Sequence, residues 1–425
     1  MRAEHPLRRT VVNEMHLRRW PRFTAPASIV QYLRMVEDGD EREAERRALE
    51  ALGGAPLAPG QRHLISSFAP GIRLCWERHN EATTLTLFLE GTEAVLAMRD
   101  DPRLAPALDW AEALPGTVLR ATRVAVVADE AQAQALLPRL AFVETDLVSC
   151  HVGAQPGSDS GGVRMWSDYV LGDDGFGLLL IAAGDCDRGT LSRTVQGLQE
   201  LGNYRNLALL GLPDARAGWK VLDGIEAQFD AAFRRMTRSD VSDDSLLDEV
   251  SALALALTTQ AAAVDFRMSA TEAYAGLVEE RLADLRVRPC PGFLTLADFT
   301  QRRFQPAVRT CSAHRRRTEQ LSARLGQFMS LLRTRVETRI ENQNARLLAS
   351  MEQSAARQLR LQQLVEGLSV VALSYYLIAL LGHVLEAAEG FAPRLHAHLV
   401  LGVLTPVVVL GMWWAIHALK KRMLD

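Results

Sequence analysis

The run QLRLQQLVEGLSVVALSYYLIALLGHVL, from Gln358 to Leu385, constrains this chain more than any other stretch. It starts polar, with Arg357 and Arg360 as the last cations, and from Gly367 to Leu385 it carries no formal charge. No proline or turn cluster separates the two parts, so one helix is expected to pass from water into an apolar medium. A second run, Leu395 to Leu419, has only histidines as titratable groups. Crossing about 30 Å of hydrocarbon takes about twenty residues, so both runs are long enough to span a bilayer. Trp413-Trp414 followed by Lys420-Lys421-Arg422 reads as a headgroup boundary, and Tyr375-Tyr376 are available to the first span. The expectation is a transmembrane hairpin over residues 367–425, with spans near 367–385 and 397–418 and the lipid bilayer as partner.

The flanks orient that hairpin. Arg357 and Arg360 precede the first span, Lys420, Lys421 and Arg422 follow the second, and the loop between them has Glu386 and Glu389 against Arg394. The positive-inside rule then puts both termini in the cytoplasm. The five cations are candidate contacts for phospholipid headgroups or for an acidic domain. Glu366, Ser369, Tyr376 and His383 fall on one helical face of the first span, a candidate polar stripe that would face the axis if copies of the helix met. Pro406, next to Thr405, is expected to kink the second span, with the threonine taking up freed backbone groups.

Charge is distributed unevenly. Residues 301–363 hold thirteen arginines and four glutamates, about +9, in a chain of net charge −3, so the remainder is about −12. The basic segment therefore faces an anionic surface, lipid or the protein's own acidic part. Apolar positions at Leu321, Leu325, Phe328, Leu332, Val336, Ile340, Leu347 and Met351 recur at helical spacing, and a helix from Ala307 to Leu385 would be about 120 Å long. Such a helix has an apolar stripe to bury, which implies other helices or further copies of the chain, hence a homo-oligomer with coiled-coil character.

The fold class expected is α+β: a cytoplasmic mixed α/β sheet domain, a long helical stalk and a C-terminal two-helix transmembrane hairpin. Residues 1–60 read as a basic N-terminal arm with a helical segment near Ala27–Val36 and a charged helix ending at Gly53-Gly54; 61–187 as the sheet domain; 188–290 as a helical subdomain; 291–366 as the stalk. In the sheet domain GIRLCWERH and TTLTLFLEG form a hairpin across a short polar turn. TRVAVVAD is a further strand, and DLVSCHVG with VRMWSDYVLGDDGFGLLLIAAG adds three, GDDGFG supplying a turn. WERH alternates, so Glu77 and His79 share a face on which a stalk arginine is the expected partner of Glu77.

No motif in the chain carries a defensible catalytic chemistry. His5, His16, His63 and His79 lack zinc-ligand spacing, no Walker-type phosphate loop occurs, and Ser67, Ser167 and Ser369 have no nucleophile-elbow context. The five scattered cysteines form no CxxC pair, which points to a reducing compartment. The N-terminus has cations but no apolar core of a signal peptide. Few aromatics interleave with the arginines, so nucleic acid is not an expected partner. The expectation is a non-enzyme without cofactor.

EHPLRRTVVNEMHLRRWPRFTAP, IRLCWERHNEATTLTLF, RNLALLGLP and ENQNARLLASMEQSAARQLRLQQLVEGLSVVALSYY resemble a bacterial family of uncharacterised membrane-anchored proteins, classified only as a domain of unknown function. That resemblance covers almost the whole chain and implies the bacterial inner membrane. The layout of cytoplasmic domain, stalk and two C-terminal spans is similar to the CorA-type magnesium transporters, whose Gly-Met-Asn string is absent after His383. A homo-oligomer passing a small inorganic ion, or regulating its passage, is the function this layout implies; a non-conducting membrane-tethered scaffold is the alternative.

Overall fold

Eight of the nine strands of one sheet lie before residue 187, in segments rich in valine, leucine, threonine and aromatic residues, and the ninth is a short strand after it. The computed structural model describes residues 5–15, 18–58, 60–153, 162–238, 241–389 and 397–424. These divide into two compact units: Met1–Val241 with Asp248–Met329, and Ser242–Leu247 with Ser330–Asp425.

In the first unit the strands are β1 (Ala27–Met35), β2 (His63–Ala69), β3 (Ile72–Arg78), β4 (Ala82–Glu90), β5 (Thr117–Val127), β6 (Val148–Val152), β7 (Val163–Ser167), β8 (Gly177–Ala182) and β9 (Arg288–Pro289). Their order is β2-β3-β4-β1-β5-β8-β7-β6-β9. β5 and β8 run parallel and the other neighbours antiparallel, so the sheet is mixed. The expected β3–β4 hairpin is present, and the Gly172–Gly177 turn joins β7 to β8.

The stretch Ala27–Val36, expected to be helical, is instead the strand β1, paired on both sides by β4 and β5. A strand with both faces covered reads as a continuous apolar run, and its period cannot be told from that of a buried helix. Ala27 and Ile29 enter the core on one face, Val30 and Tyr32 the core on the other.

Helices cover both faces. The chain contains α1 (Arg8–Glu14), α2 (Asp40–Gly53), α3 (Glu93–Ala97), α4 (Ala105–Glu112), α5 (Glu130–Leu136), α6 (Arg188–Leu209), α7 (Gly211–Arg235), α8 (Asp243–Asp284), α9 (Leu296–Phe299), a π-helical turn Thr300–Phe304, α10 (Gln305–Glu389) and α11 (Ala397–Leu424). Leu49 of α2 and Ala107, Leu108 and Ala111 of α4 pack with Leu74, Trp76, Leu85 and Leu87 of the sheet. On the opposite face Leu191, Val195, Leu198 and Leu201 of α6 and Ala275 and Val278 of α8 pack with Val124, Val126, Met165 and Ile181. Arg34 of β1 turns its guanidinium onto the carbonyls of Ala111 (3.0 Å), Pro115 (3.1 Å) and Gly116 (3.1 Å), closing the C-terminal end of α4. Gly218 of α7 has a packing reason: a Cβ there would lie 2.2 Å from Nε2 of the buried His314 on α10.

In the second unit the rest of α10 meets α11. Ser374 is 2% exposed, and Gly382 lets Leu401 of α11 approach to within 3.7 Å of where a Cβ would stand. Pro406 lies inside α11. The Thr405 hydroxyl donates to the Leu401 carbonyl at 2.8 Å, next to the Gly402 carbonyl that the proline leaves without an amide.

Candidate functional site

Three helical stretches are long and apolar enough to cross a membrane: Asp243–Asp284, Leu296–Ala387 and His398–Ala418, whose most apolar 18-residue windows have mean hydropathies of 1.2, 2.0 and 2.2. α8 places Val264, Met268, Thr271, Ala275 and Val278 in the interior of the first unit. The other two windows are almost bare, 6% and 0% buried. On α10, Val370, Ser374, Leu377, Ile378 and Leu381 form the covered side. The expected polar stripe divides: Glu366 and Ser369 are half-buried, whereas Tyr376 and His383 are exposed. At 100° per residue Ser369, Tyr376 and His383 fall on the side away from Ser374 and Leu381. The Ser369 hydroxyl is spent on the Val365 carbonyl at 2.8 Å. Arg357 and Arg360 are exposed, with no ion partner among the described residues. The side chains of Lys420, Lys421 and Arg422 lie outside the described residues.

The sheet unit contains a cavity that the sequence did not announce. It measures about 310 Å³ and lies between one face of β5, β7 and β8 and the helices α6 and α9, continuing along the π-helical turn. Its walls are apolar: Met165, Leu179, Leu198, Leu201, Phe299 and Phe304 are among them. Its ionisable groups are Arg120, Arg205, Arg303 and Tyr169, with no carboxylate among the lining residues. Arg120 comes from β5, on the same face as Val124 and Val126, and its Nη1 donates to Gln199 Oε1 (2.8 Å), Asn203 Oδ1 (2.9 Å) and Gln31 Oε1 (3.4 Å). All three acceptors are neutral. The guanidinium lies flat on α6 because residue 202 is glycine; a Cβ there would stand 2.7 Å from its Cζ. Arg205, 8% exposed, sits 4.4 Å above the Tyr169 ring, which stacks on Phe299 at 4.1 Å. Its Nη1 is buried without a partner, as is the Thr122 hydroxyl. Burial and the neighbouring Arg205 charge push Arg120 down to about 9, which leaves it a cation at neutral pH.

On the other side of α6 is an open polar cleft of about 840 Å³. Here cations and carboxylates alternate. Arg18 reaches Glu14 (2.7 Å) and Glu77 (3.3 Å), and Arg281 reaches Glu200 (2.8 Å) and Asp284 (2.9 Å). The partner of Glu77 is thus Arg18 near the N-terminus and not a stalk arginine. Alternation on β3 put the carboxylate on the side of α6, and α10 does not reach it. Burial, then the nearby Glu200 carboxylate, raises Glu77 to about 7 despite Arg18. His79 shares that face and is pushed down to about 4, chiefly by burial and then by Arg18, so it is neutral at pH 7.

Comparison with known families places the chain. The family described as "Protein of unknown function (DUF3422)" matches residues 3–423. This chain belongs to the DUF3422 family. No curated protein and no solved structure matches it, so the CorA-type layout read from the sequence finds no support. Among the described residues of this DUF3422 protein, no group of three or more His, Cys, Asp or Glu could hold a metal ion.

The basic segment of α10 finds acidic partners within each unit. In the first, Arg315 pairs with Glu272 (2.7 Å), Arg317 with Asp223 (2.7 Å) and Glu226 (2.5 Å), and Arg324 with Glu226 (2.7 Å) and Asp230 (3.0 Å). In the second, Arg335 and Arg339 pair with Asp243 and Asp244. The protein's own acidic residues therefore answer the front of the arginine-rich segment.

Proposed function

We propose that this DUF3422 protein is anchored in a bilayer by the hairpin of α10 and α11, with its α/β unit in the cytoplasm. One observation carries the reading: two charge-poor 18-residue windows of mean hydropathy 2.0 and 2.2 leave nearly all of their surface uncovered. At about 25 cal/mol per Å² of apolar surface, leaving two such windows in water would be strongly unfavourable. Arg357 and Arg360 before the first span and Lys420, Lys421 and Arg422 after the second support cytoplasmic ends. In intact cells a membrane-impermeant maleimide should label Glu386→Cys and leave Lys421→Cys and the native cysteines unlabelled, and alkaline carbonate should fail to extract the protein. Release by carbonate would overturn the anchor, and labelling of Lys421→Cys would reverse the orientation.

A second reading is passage of a small inorganic ion through a homo-oligomer. It is favoured by the position of Ser369, Tyr376 and His383 on the side of α10 turned from α11, where a further copy could meet them. Exposed Leu347, Met351, Leu361 and Leu364 offer further apolar surface for self-association. Protein reconstituted in liposomes should then move an ion at a rate that His383→Ala and Glu366→Gln change. A liposome assay in which neither cations nor anions move would leave the non-conducting scaffold.

A further inference from the structure

We propose that the cavity between β5, β7, β8 and α6 binds a small organic anion, a carboxylate or phosphate on an apolar body, with its head on Arg120 and Arg205 and its body among the leucines and phenylalanines. The proposal is independent of whether the hairpin conducts an ion.

Three features of the cavity converge on this chemistry. The buried Arg205 and the half-buried Arg120 line this space without a carboxylate, although buried charges in folded proteins are paired because the desolvation of an isolated ion is so unfavourable. Neutral amide oxygens of Gln31, Gln199 and Asn203 hold Arg120 in place but leave its charge uncompensated. Secondly, polar atoms remain unpaired around the space: Nη1 of Arg205, 8% exposed, and the hydroxyl of Thr122, 4% exposed. A carboxylate or phosphate oxygen accepts from both donor types, and charge-assisted bonds of this kind are the strong ones. Thirdly, the volume of about 310 Å³ and the Leu179, Leu198, Leu201, Phe299 and Phe304 walls suit the apolar body of a small ligand better than a bare inorganic ion.

The local backbone is shaped for the same site. Tyr169, whose ring carries Arg205, has φ of +57°, a left-handed conformation that side chains other than glycine rarely adopt. Phe299 ends α9 and the following π-helical turn, Thr300–Phe304, brings Arg303 and Phe304 to the same space. The exposed Arg303 is a third cation for an arriving anion.

The test is a thermal melt of the full chain in phospholipid nanodiscs with phenylacetate, phenyl phosphate, the neutral phenylacetamide, or inorganic phosphate. Phenylacetate or phenyl phosphate should raise the Tm by about 2–5 °C at saturating concentration, the larger shift identifying the head, and phenylacetamide should give none. Arg205→Met should abolish the shift while raising the Tm of the unliganded protein, because one of two uncompensated charges is gone. Leu209→Trp, which fills the cavity and keeps every charge, should abolish the shift too, and decides the matter should Arg205→Met not fold. No shift of the wild type with either organic anion, or a shift that persists in Leu209→Trp or in folded Arg205→Met, overturns the site. An equal shift from inorganic phosphate overturns the apolar part of the ligand.

Discussion

One helix, α6, presents two opposite treatments of arginine. Toward the open cleft, Glu200 and Tyr204 face Arg281, and Arg18 stands between Glu14 and Glu77. Toward the cavity, Gly202 and Arg205 face Arg120 across apolar walls with no carboxylate. In the cleft four carboxylates stand among five arginines, and Arg18 and Arg281 each lie within 3.3 Å of two of them. In the cavity the positive charge is in excess. The difference teaches that the number of charged residues around a space says little, while their balance separates a closed structural network from one awaiting an ion.

Three substitutions would break or sharpen that contrast. The largest effect is expected for Arg281→Met in the cleft, which leaves Glu200 half-buried beside Glu77 without its cation. Unfolding by denaturant should show a loss of about 2 kcal/mol at neutral pH. Next is Thr122→Asp in the cavity, which supplies a carboxylate two residues along β5 from Arg120 and on the same face. It should stabilise the unliganded protein by about 1–2 kcal/mol in the same assay and remove the response to organic anions. A loss of stability would mean that the cavity has no excess of positive charge to neutralise.

The smallest effect belongs to Glu77→Gln. The folded protein raises Glu77 to about 7 from the ordinary value of 4.5, so it holds the proton more tightly than the unfolded chain. Its contribution to stability is fully present below pH 4.5 and is lost as pH rises through 7. Glu77→Gln should therefore match the wild type near pH 4 and be more stable by about 1 kcal/mol at pH 8, part of the gain being offset by the lost contact with Arg18. A pH-independent difference in denaturant midpoints would mean that Glu77 is already ionised at pH 5.

The β3–β4 hairpin was legible because alternation and a three-residue polar turn act within twenty residues. The long helix was legible because no breaker follows Pro306 until the hairpin loop. β1 was not, since full burial on both faces removes the periodicity by which strands are recognised. The cavity left one local trace: Arg120 shares a face with Val124 and Val126, a cation on the inward side of an apolar strand. Nothing local connects it with Arg205, eighty-five residues later, or with Tyr169 and Phe299.

By itself the sequence determined where the long apolar runs lie, where the cations stand relative to those runs, and that the longest segment is helix and β3–β4 a hairpin, because such properties are summed over neighbouring residues. Only the tertiary structure decided that Arg18 rather than a stalk arginine meets Glu77, that Ser374 is buried and Tyr376 exposed, and that two distant arginines share one cavity without an acid. Charge balance in a buried space depends on which residues the fold brings within a few ångströms, and pairs far apart in the chain leave no mark of that distance in the order of its letters.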